Sequence, residues 1–287
     1  MNYQAPEFPK RLELELVSDC NLKCTYCPRH LVNDLTGYMD FELFKRIIKE
    51  AEPYPETIFV LHRRGESMLH PKFNEMLNYI SGKFSEVQMA TNATMLTSDK
   101  FESIVNGLDF LSFSLDTPDR FNKTRLPAKY DKVEAKILNF LEFNKGRVKT
   151  QASMVKTSDT TDEMIQEFTN IWKDRVDRVR IYEEHSSDGE FGSLKNPRKN
   201  RIPCMMPIYE MLIYDNGIVA RCNHDWDSDG MGDIKTHSIK EVWKNNKYMD
   251  LRQQHLTQKL IDPVCSKCDS WYPDIGNQGT GKVIENG

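Results

Sequence analysis

The feature that most constrains this chain is an alternation of strand-like and helix-like segments running from Leu12 to Tyr182. Leu12-Glu-Leu-Glu-Leu-Val17 alternates apolar and acidic residues with period two, the spacing of a strand. Phe41 to Glu50 has apolar residues at 41, 43, 44, 47 and 48, helical spacing behind a capping Asp40. Strands are then expected at 57–61, 87–90, 110–115, 148–155 and 179–182. Helices are expected between them, at 71–80, 99–106, 133–143 and 162–172. Strands alternating with helices of this length form parallel βαβ units, and right-handed crossovers curl such a sheet toward a barrel. Six units do not close the eight-stranded form, so the expected fold is α/β, an open partial (β/α)6 barrel. Chemistry in such barrels gathers at the C-terminal ends of the strands.

The pattern changes after the sixth strand. Ser-Ser-Asp-Gly, Gly192, Asn196-Pro197 and Pro203 mark a break. The expected division is a barrel over 1–190, a linker at 191–201, a small module over 202–275 and a flexible Gly-containing tail at 276–287. Within the small module, 211–214 and 218–220 form a hairpin turning at Asp215-Asn216-Gly217, and Ser238–Lys244 a helix. A balance of 39 basic against 43 acidic residues makes nucleic acid an unexpected partner. No apolar run approaches the roughly 18–20 residues that span a bilayer, and the first residues do not resemble a secretory signal. A cytoplasmic location with reduced thiols is expected.

Seven cysteines, at 20, 24, 27, 204, 222, 265 and 268, cannot all pair as disulfides. They fall into a group of three and a group of four, which points to metal ligation. Cys20, Cys24 and Cys27 have CxxxCxxC spacing directly after the first strand. Three thiolates hold three irons of a 4Fe–4S cube and leave the fourth open. A zinc site completed by His30 is the alternative. Cys204, Cys222, Cys265 and Cys268 suffice to close a second 4Fe–4S cluster, with a four-cysteine zinc ribbon as the alternative.

The cysteine loop and the strand ends after it resemble the radical S-adenosylmethionine (SAM) superfamily. The resemblance implies that the backbone of Tyr26, before the third cysteine, lies against the adenine of SAM. Gly65-Glu66 is similar to the family's GE motif, which meets the SAM amino group. Thr91-Asn92 is similar to its TN-type segment. Ser114 and Asp116, in Ser112-Phe-Ser-Leu-Asp116, match the segment reaching the ribose and methionine portions, and Arg125 the arginine toward the SAM carboxylate. Where the family commonly reads GGEPLLHP, this chain has Arg64-Gly-Glu-Ser-Met-Leu-His-Pro71, preceded by His62-Arg63. Arg63 and Arg64 are either solvated or paired with a carboxylate, or they grip an anionic substrate.

Gly217-Ile-Val-Ala-Arg-Cys222 and Cys265-Ser-Lys-Cys268 resemble the family's SPASM extension in its short, one-cluster Twitch form. The implied cofactors are SAM and two 4Fe–4S clusters, one binding SAM and one auxiliary. The whole most resembles the alcohol-oxidising members of the 2-deoxy-scyllo-inosamine dehydrogenase type. A 5′-deoxyadenosyl radical would then abstract hydrogen from a small polar substrate, a sugar, cyclitol or nucleotide. The auxiliary cluster would take the second electron, and flavodoxin or ferredoxin would supply the first. Arg180, Tyr182, Glu183 and His62 are the candidates for removing the hydroxyl proton. With all cysteines assigned, no thiol is left to quench a substrate radical. The alternatives are an epimerase or rearrangement enzyme on a phosphorylated sugar or nucleotide, and a peptide-modifying maturase.

Overall fold

A computed structural model describes residues 5–32, 35–184, 201–226, 230–268, 271 and 281–285. The barrel half contains, in chain order, β1 (Arg11–Leu14), β2 (Lys23–Cys24), α1 (Phe41–Ala51), β3 (Ile58–Val60), α2 (Phe73–Ile80), β4 (Glu86–Thr91) and α3 (Ser98–Gly107). It continues with β5 (Phe110–Ser114), α4 (Pro118–Thr124), β6 (Arg125–Leu126), α5 (Tyr130–Asn144), β7 (Lys149–Lys156), α6 (Asp162–Trp172) and β8 (Arg178–Glu183). The C-terminal part adds α7 (Met206–Tyr209), β9 (Glu210–Ile213), β10 (Ile218–Ala220), β11 (Gly232–Asp233), α8 (Ile239–Trp243), α9 (Asn246–Thr257) and β12 (Gly281–Glu285).

β1, β3, β4, β5, β7 and β8 lie side by side, every neighbouring pair parallel. This is the expected partial barrel. Period two then sorts each strand's side chains onto two faces. Leu12, Leu14, Phe59, Val87, Met89, Leu111, Phe113, Met154 and Val179 pack under the helices, against Phe44, Ile47, Ile104, Ile137, Phe140, Phe168 and Trp172. Each large side chain buried this way contributes about 1.5–3 kcal/mol relative to exposure. Arg11, Glu13, Gln88, Ser112, Gln151 and Arg178 alternate with them and face the lumen, which is mostly polar, with Val60 as an apolar exception beside Glu13 and Gln88. Arg178 Nε donates to Gln151 Oε1 at 2.6 Å, and Gln151 Nε2 to Ser112 Oγ at 2.9 Å. Arg11 donates to Gln88 Oε1 at 3.2 Å and pairs with Glu210 at 3.4 Å.

Among the described residues, the small module does not build a sheet of its own. β9 pairs parallel with β1 on the side away from β3, and β10 and β11 follow antiparallel. The ends of the hairpin therefore stand beside the ends of the barrel strands. Asp40 caps α1 through the Glu42 and Leu43 amides, and Ser238 with Glu241 closes a capping box on α8. α9 was not expected; it buries Arg252, Gln254 and His255 beside Tyr248 and Leu251, so no apolar period marks it. The flexible tail expected at 276–287 is corrected over part of its length. Residues 281–285 form β12, antiparallel to β8 along Arg178–Tyr182, an edge that would otherwise leave its backbone groups unpaired. The linker expected at 191–201 lies outside the described residues except for Arg201.

Candidate active site

The cysteine loop leaves β1 at its C-terminal end and is pinned on two sides. Arg29 donates to the Ser18 carbonyl at 3.0 Å and to Asp19 Oδ1 at 3.1 Å, and also reaches the Leu35 carbonyl. On the other side stands Gly65. A Cβ there would sit 2.2 Å from the Asp19 carbonyl and 2.3 Å from that of Val17, so only glycine allows this approach. The next amide, of Glu66, donates to the Asp19 carbonyl at 2.8 Å. The two strand ends thus close on the residue before Cys20.

Glu66 is buried, and its carboxylate accepts from the Asn92 amide at 2.7 Å, Thr91 Oγ1 at 2.8 Å and the Met68 amide at 3.2 Å. Burial pushes its carboxyl up despite these donors. Asn92 Nδ2 donates to Asn21 Oδ1 at 3.0 Å and lies 3.8 Å from Cys20 Sγ. Gly65-Glu66, Thr91-Asn92 and Cys20 therefore meet in one place. Cys24, in β2, pairs with Arg125, in β6. Burial pushes the thiols of Cys20, Cys24 and Cys27 up, and at Cys24 the Arg125 guanidinium works against it. Arg125 donates to the Leu115 carbonyl at 3.0 Å and lies 5.5 Å over the Tyr26 ring.

Among the described residues, the buried Tyr26 hydroxyl and Arg125 Nε have no hydrogen-bond partner. Two orphaned polar groups beside three thiols fit a polar ligand bound at the cluster. Ser114 is on the lumen side of β5. Asp116, fully buried, pairs with Arg120 at 2.7 Å. Arg120 was not singled out in the sequence. It also donates to Thr157 and to the Val155 carbonyl at 3.2 Å, and lies 5.8 Å over Tyr26. Its only signal was the four-residue spacing from Asp116 across the start of α4. His30, the alternative zinc ligand, is exposed.

Several expectations are corrected here. Arg64 is neither solvated nor open to a substrate. Its Nε and Nη2 form a fork on Glu15 at 2.8 and 2.7 Å, its Nη1 donates to the Trp226 carbonyl at 2.9 Å, and it stacks 3.7 Å from the Tyr214 ring. Arg63 is less committed: it lies 3.8 Å from Glu13 and 4.9 Å from the Trp226 ring, and its Nε has no hydrogen-bond partner among the described residues. His62 cannot serve as a base, because its Nδ1 accepts the Ala90 amide at 3.0 Å and the proton of the neutral ring must then sit on Nε2. Burial, with Arg11 and Arg63 nearby, holds this ring down at about 3. Glu183 faces away from the lumen, in a groove with Asp162, Ile165, Gln166 and Ile284. Arg180 and Tyr182 are on the lumen side of β8, with the guanidinium 4.4 Å over the Tyr182 ring.

Cys204, Cys222, Cys265 and Cys268 line one pocket, together with Met206, Arg221, His255 and Trp271. Arg221 reaches Asp225 at 2.6 Å and Asp262 at 2.8 Å, which places a paired cation beside the sulfurs. Four thiols around one space fit a fully ligated cluster. Among the described residues, no three His, Cys, Asp or Glu side chains are gathered tightly enough for a single metal ion, and no helix is long and apolar enough to cross a membrane.

Residues 14–181 match the radical SAM superfamily, and 204–269 match SPASM, an iron–sulfur cluster-binding domain. The chain is 34% identical over 109 residues to the tungsten-containing aldehyde ferredoxin oxidoreductase cofactor-modifying protein of Pyrococcus furiosus, covering 37% of this chain and 31% of that one. It is 27% identical over 213 residues to the GTP 3′,8-cyclase of Syntrophomonas wolfei, covering 71% and 61%. The chain thus spans from under a third to about three fifths of these relatives. The crystal structure of BtrN with AdoMet and 2-DOIA shares the fold at a TM-score of 0.62 and 17% identity, over 94% of both chains. Streptococcus suis SuiB bound to its precursor peptide SuiA shares it at 0.73 and 15%, over 92% of this chain and 70% of that one. The barrel, its three-cysteine loop and the four-cysteine module identify the chain as a member of the radical SAM superfamily, with SAM and a 4Fe–4S cluster in the barrel and an auxiliary iron–sulfur cluster in the C-terminal domain.

Proposed function

We propose that the protein is a radical SAM oxidoreductase that oxidises an alcohol on a small polar substrate. The observation that carries this reading is the four-cysteine pocket at the edge of the barrel's own sheet, since a cluster with every iron ligated has no site for substrate and is suited to moving electrons. When bound, SAM and its cluster would supply radical hydrogen-abstraction chemistry at a carbinol carbon, and the auxiliary cluster would supply a sink for the remaining electron.

Cys20, Cys24 and Cys27 are proposed to hold the SAM cluster, and the other four cysteines the auxiliary one. Tyr26 and Arg125, whose buried hydroxyl and Nε have no hydrogen-bond partner among the described residues, orient SAM together with Gly65, Glu66, Thr91, Asn92, Ser114 and Asp116. Of the four base candidates Tyr182 is preferred: it faces the lumen and a phenol gives up its proton far more readily than a guanidinium, whereas His62 and Glu183 are excluded on the geometry above. The lumen's arginines and carboxylates suit a substrate rich in hydroxyl or charged groups, and Arg63 is the cation proposed to meet an anionic one. A low-potential donor such as flavodoxin or ferredoxin, and a cytoplasmic setting, go with this chemistry.

A second reading is a rearrangement without net oxidation on a nucleotide-like anion. The lumen arginines Arg11, Arg63, Arg178 and Arg180 favour it, as does the likeness to GTP 3′,8-cyclases. One experiment separates the two. The anaerobically reconstituted protein is incubated with SAM, reductant and a deuterated metabolite extract. Deuterium in 5′-deoxyadenosine and a product lighter by one HD, deuterium from carbon and an exchangeable hydrogen from oxygen, support the oxidation, a product of unchanged mass supports the rearrangement, and no 5′-deoxyadenosine sinks both.

A further inference from the structure

Arg64 lies at a crossing of three strand ends. It follows β3, its fork sits on Glu15 just past β1, and its guanidinium stacks on Tyr214 just past β9. From there Nη1 reaches the Trp226 carbonyl at 2.9 Å. Trp226 closes the turn that starts at the auxiliary ligand Cys222. Within that turn the Asp225 amide donates to the Cys222 carbonyl at 3.2 Å, and the His224 amide lies 3.4 Å from Cys222 Sγ. Tyr214 adds its hydroxyl to the Asp225 carbonyl, and Arg63 donates to the same carbonyl at 3.5 Å. The residue after Arg64 is Gly65, which packs on Asp19 beside Cys20. One side chain therefore links the turn carrying an auxiliary ligand to the strand end that braces the SAM-cluster loop.

We infer that Arg64 is a positioning residue for the auxiliary cluster, a strut that fixes the Cys222–Trp226 turn against the barrel. The inference rests on the two-cluster reading above. A planar fork filled on both sides, buried with its carboxylate, has one geometry, so it transmits position where a surface ion pair would not. Lysine keeps the charge but cannot hold Glu15 bidentately and reach Trp226 together.

The test uses the full chain and two variants. Arg64→Lys removes the fork, and Glu15→Leu with Arg64→Met removes both buried charges, so that neither is left unpaired. In the cluster-free protein, hydrogen exchange of 214–226 is expected to quicken about tenfold while that of 58–62, whose amides bond to the neighbouring strands and not to Glu15, stays unchanged. In the reconstituted protein, the midpoint potential of the auxiliary EPR signal should shift while that of the SAM-cluster signal does not. Equal loosening of both segments would make Arg64 a general stabiliser and overturn the inference. So would unchanged exchange and unchanged potentials in both variants. A wild-type chain with about four irons instead of eight would overturn the two-cluster reading itself, and the inference with it.

Discussion

The α-carbon of Gly65 rests against the carbonyl of Asp19, so closely that a methyl group there would lie 2.2 Å from the oxygen. The obstacle is backbone, which no rotamer change relieves. Gly65→Ala must push the end of β3 away from the cysteine loop and break the 2.8 Å bond from the Glu66 amide. A displacement near 1 Å at a reacting centre commonly costs about a hundredfold in rate. 5′-Deoxyadenosine formation is therefore expected to fall at least that far, with iron lost from the SAM cluster alone. Retention of full iron and near-normal SAM cleavage would show that the loop tolerates the shift.

Asp116 is fully buried, and Arg120 is its partner at 2.7 Å. Removing one member of a buried pair leaves an uncompensated charge and costs about 3–5 kcal/mol, whereas removing both is often close to neutral. Arg120→Met should be destabilised on that scale in urea unfolding. Adding Asp116→Asn should recover most of the loss. If the double variant is no more stable than the single one, the bonds from Arg120 to Thr157 and Val155 matter more than the ion pair.

The parts of this molecule that follow from local pattern were legible in the sequence. Helix α1 was marked by its apolar spacing and Asp40, and the cysteine loop by tight spacing after a strand. Parts that depend on which face meets which neighbour were not. The alternation in Leu12-Glu-Leu-Glu-Leu identifies a strand, but nothing local says that Glu13 and Glu15 turn into a polar lumen and meet Arg63 and Arg64. Arg64 could not be placed from sequence because its partners lie 49 residues before it and 162 after it. β12 escaped for the same reason: its partner β8 is about a hundred residues away, and a short run between glycines carries no period of its own.

Asp215 gives a pH-dependent test of the same strand-end cluster. Burial, and then Glu15 beside it, push its carboxyl from 3.8 up to about 6. The folded state thus holds this proton between those values while the unfolded chain releases it. The contribution is fully present below 3.8 and is lost as pH rises through 6. An asparagine in its place is neutral at every pH and can still accept from Ser18, which donates to Asp215 Oδ2 at 3.3 Å. Asp215→Asn should therefore be more stable than wild type at pH 7.5, by roughly 1–2 kcal/mol after allowance for solvent screening. That advantage should fade toward pH 4, as urea titrations at both pH values will register. A difference that does not change with pH would mean the carboxyl titrates as it does in water.

His62 acts in the opposite direction over an overlapping range, so single variants are needed to separate the two. Its ring is held at about 3 by burial and by Arg11 and Arg63, against 6.5 in the unfolded chain. The unfolded chain therefore takes up the proton first. Stability from the neutral ring is complete above 6.5 and is lost as pH falls toward 3. Asparagine at this position presents Oδ1 near the place of Nδ1 and can accept the Ala90 amide, which now lies 3.0 Å from the ring. His62→Asn should hence be less acid-sensitive than wild type between pH 6.5 and 5. His62→Leu strands that amide and should lose about 1–3 kcal/mol at every pH. Because the Nδ1 lone pair is occupied, the asparagine variant should also leave the pH profile of turnover unshifted. A profile that loses a limb in His62→Asn would return His62 to the list of proton acceptors and displace Tyr182 from it.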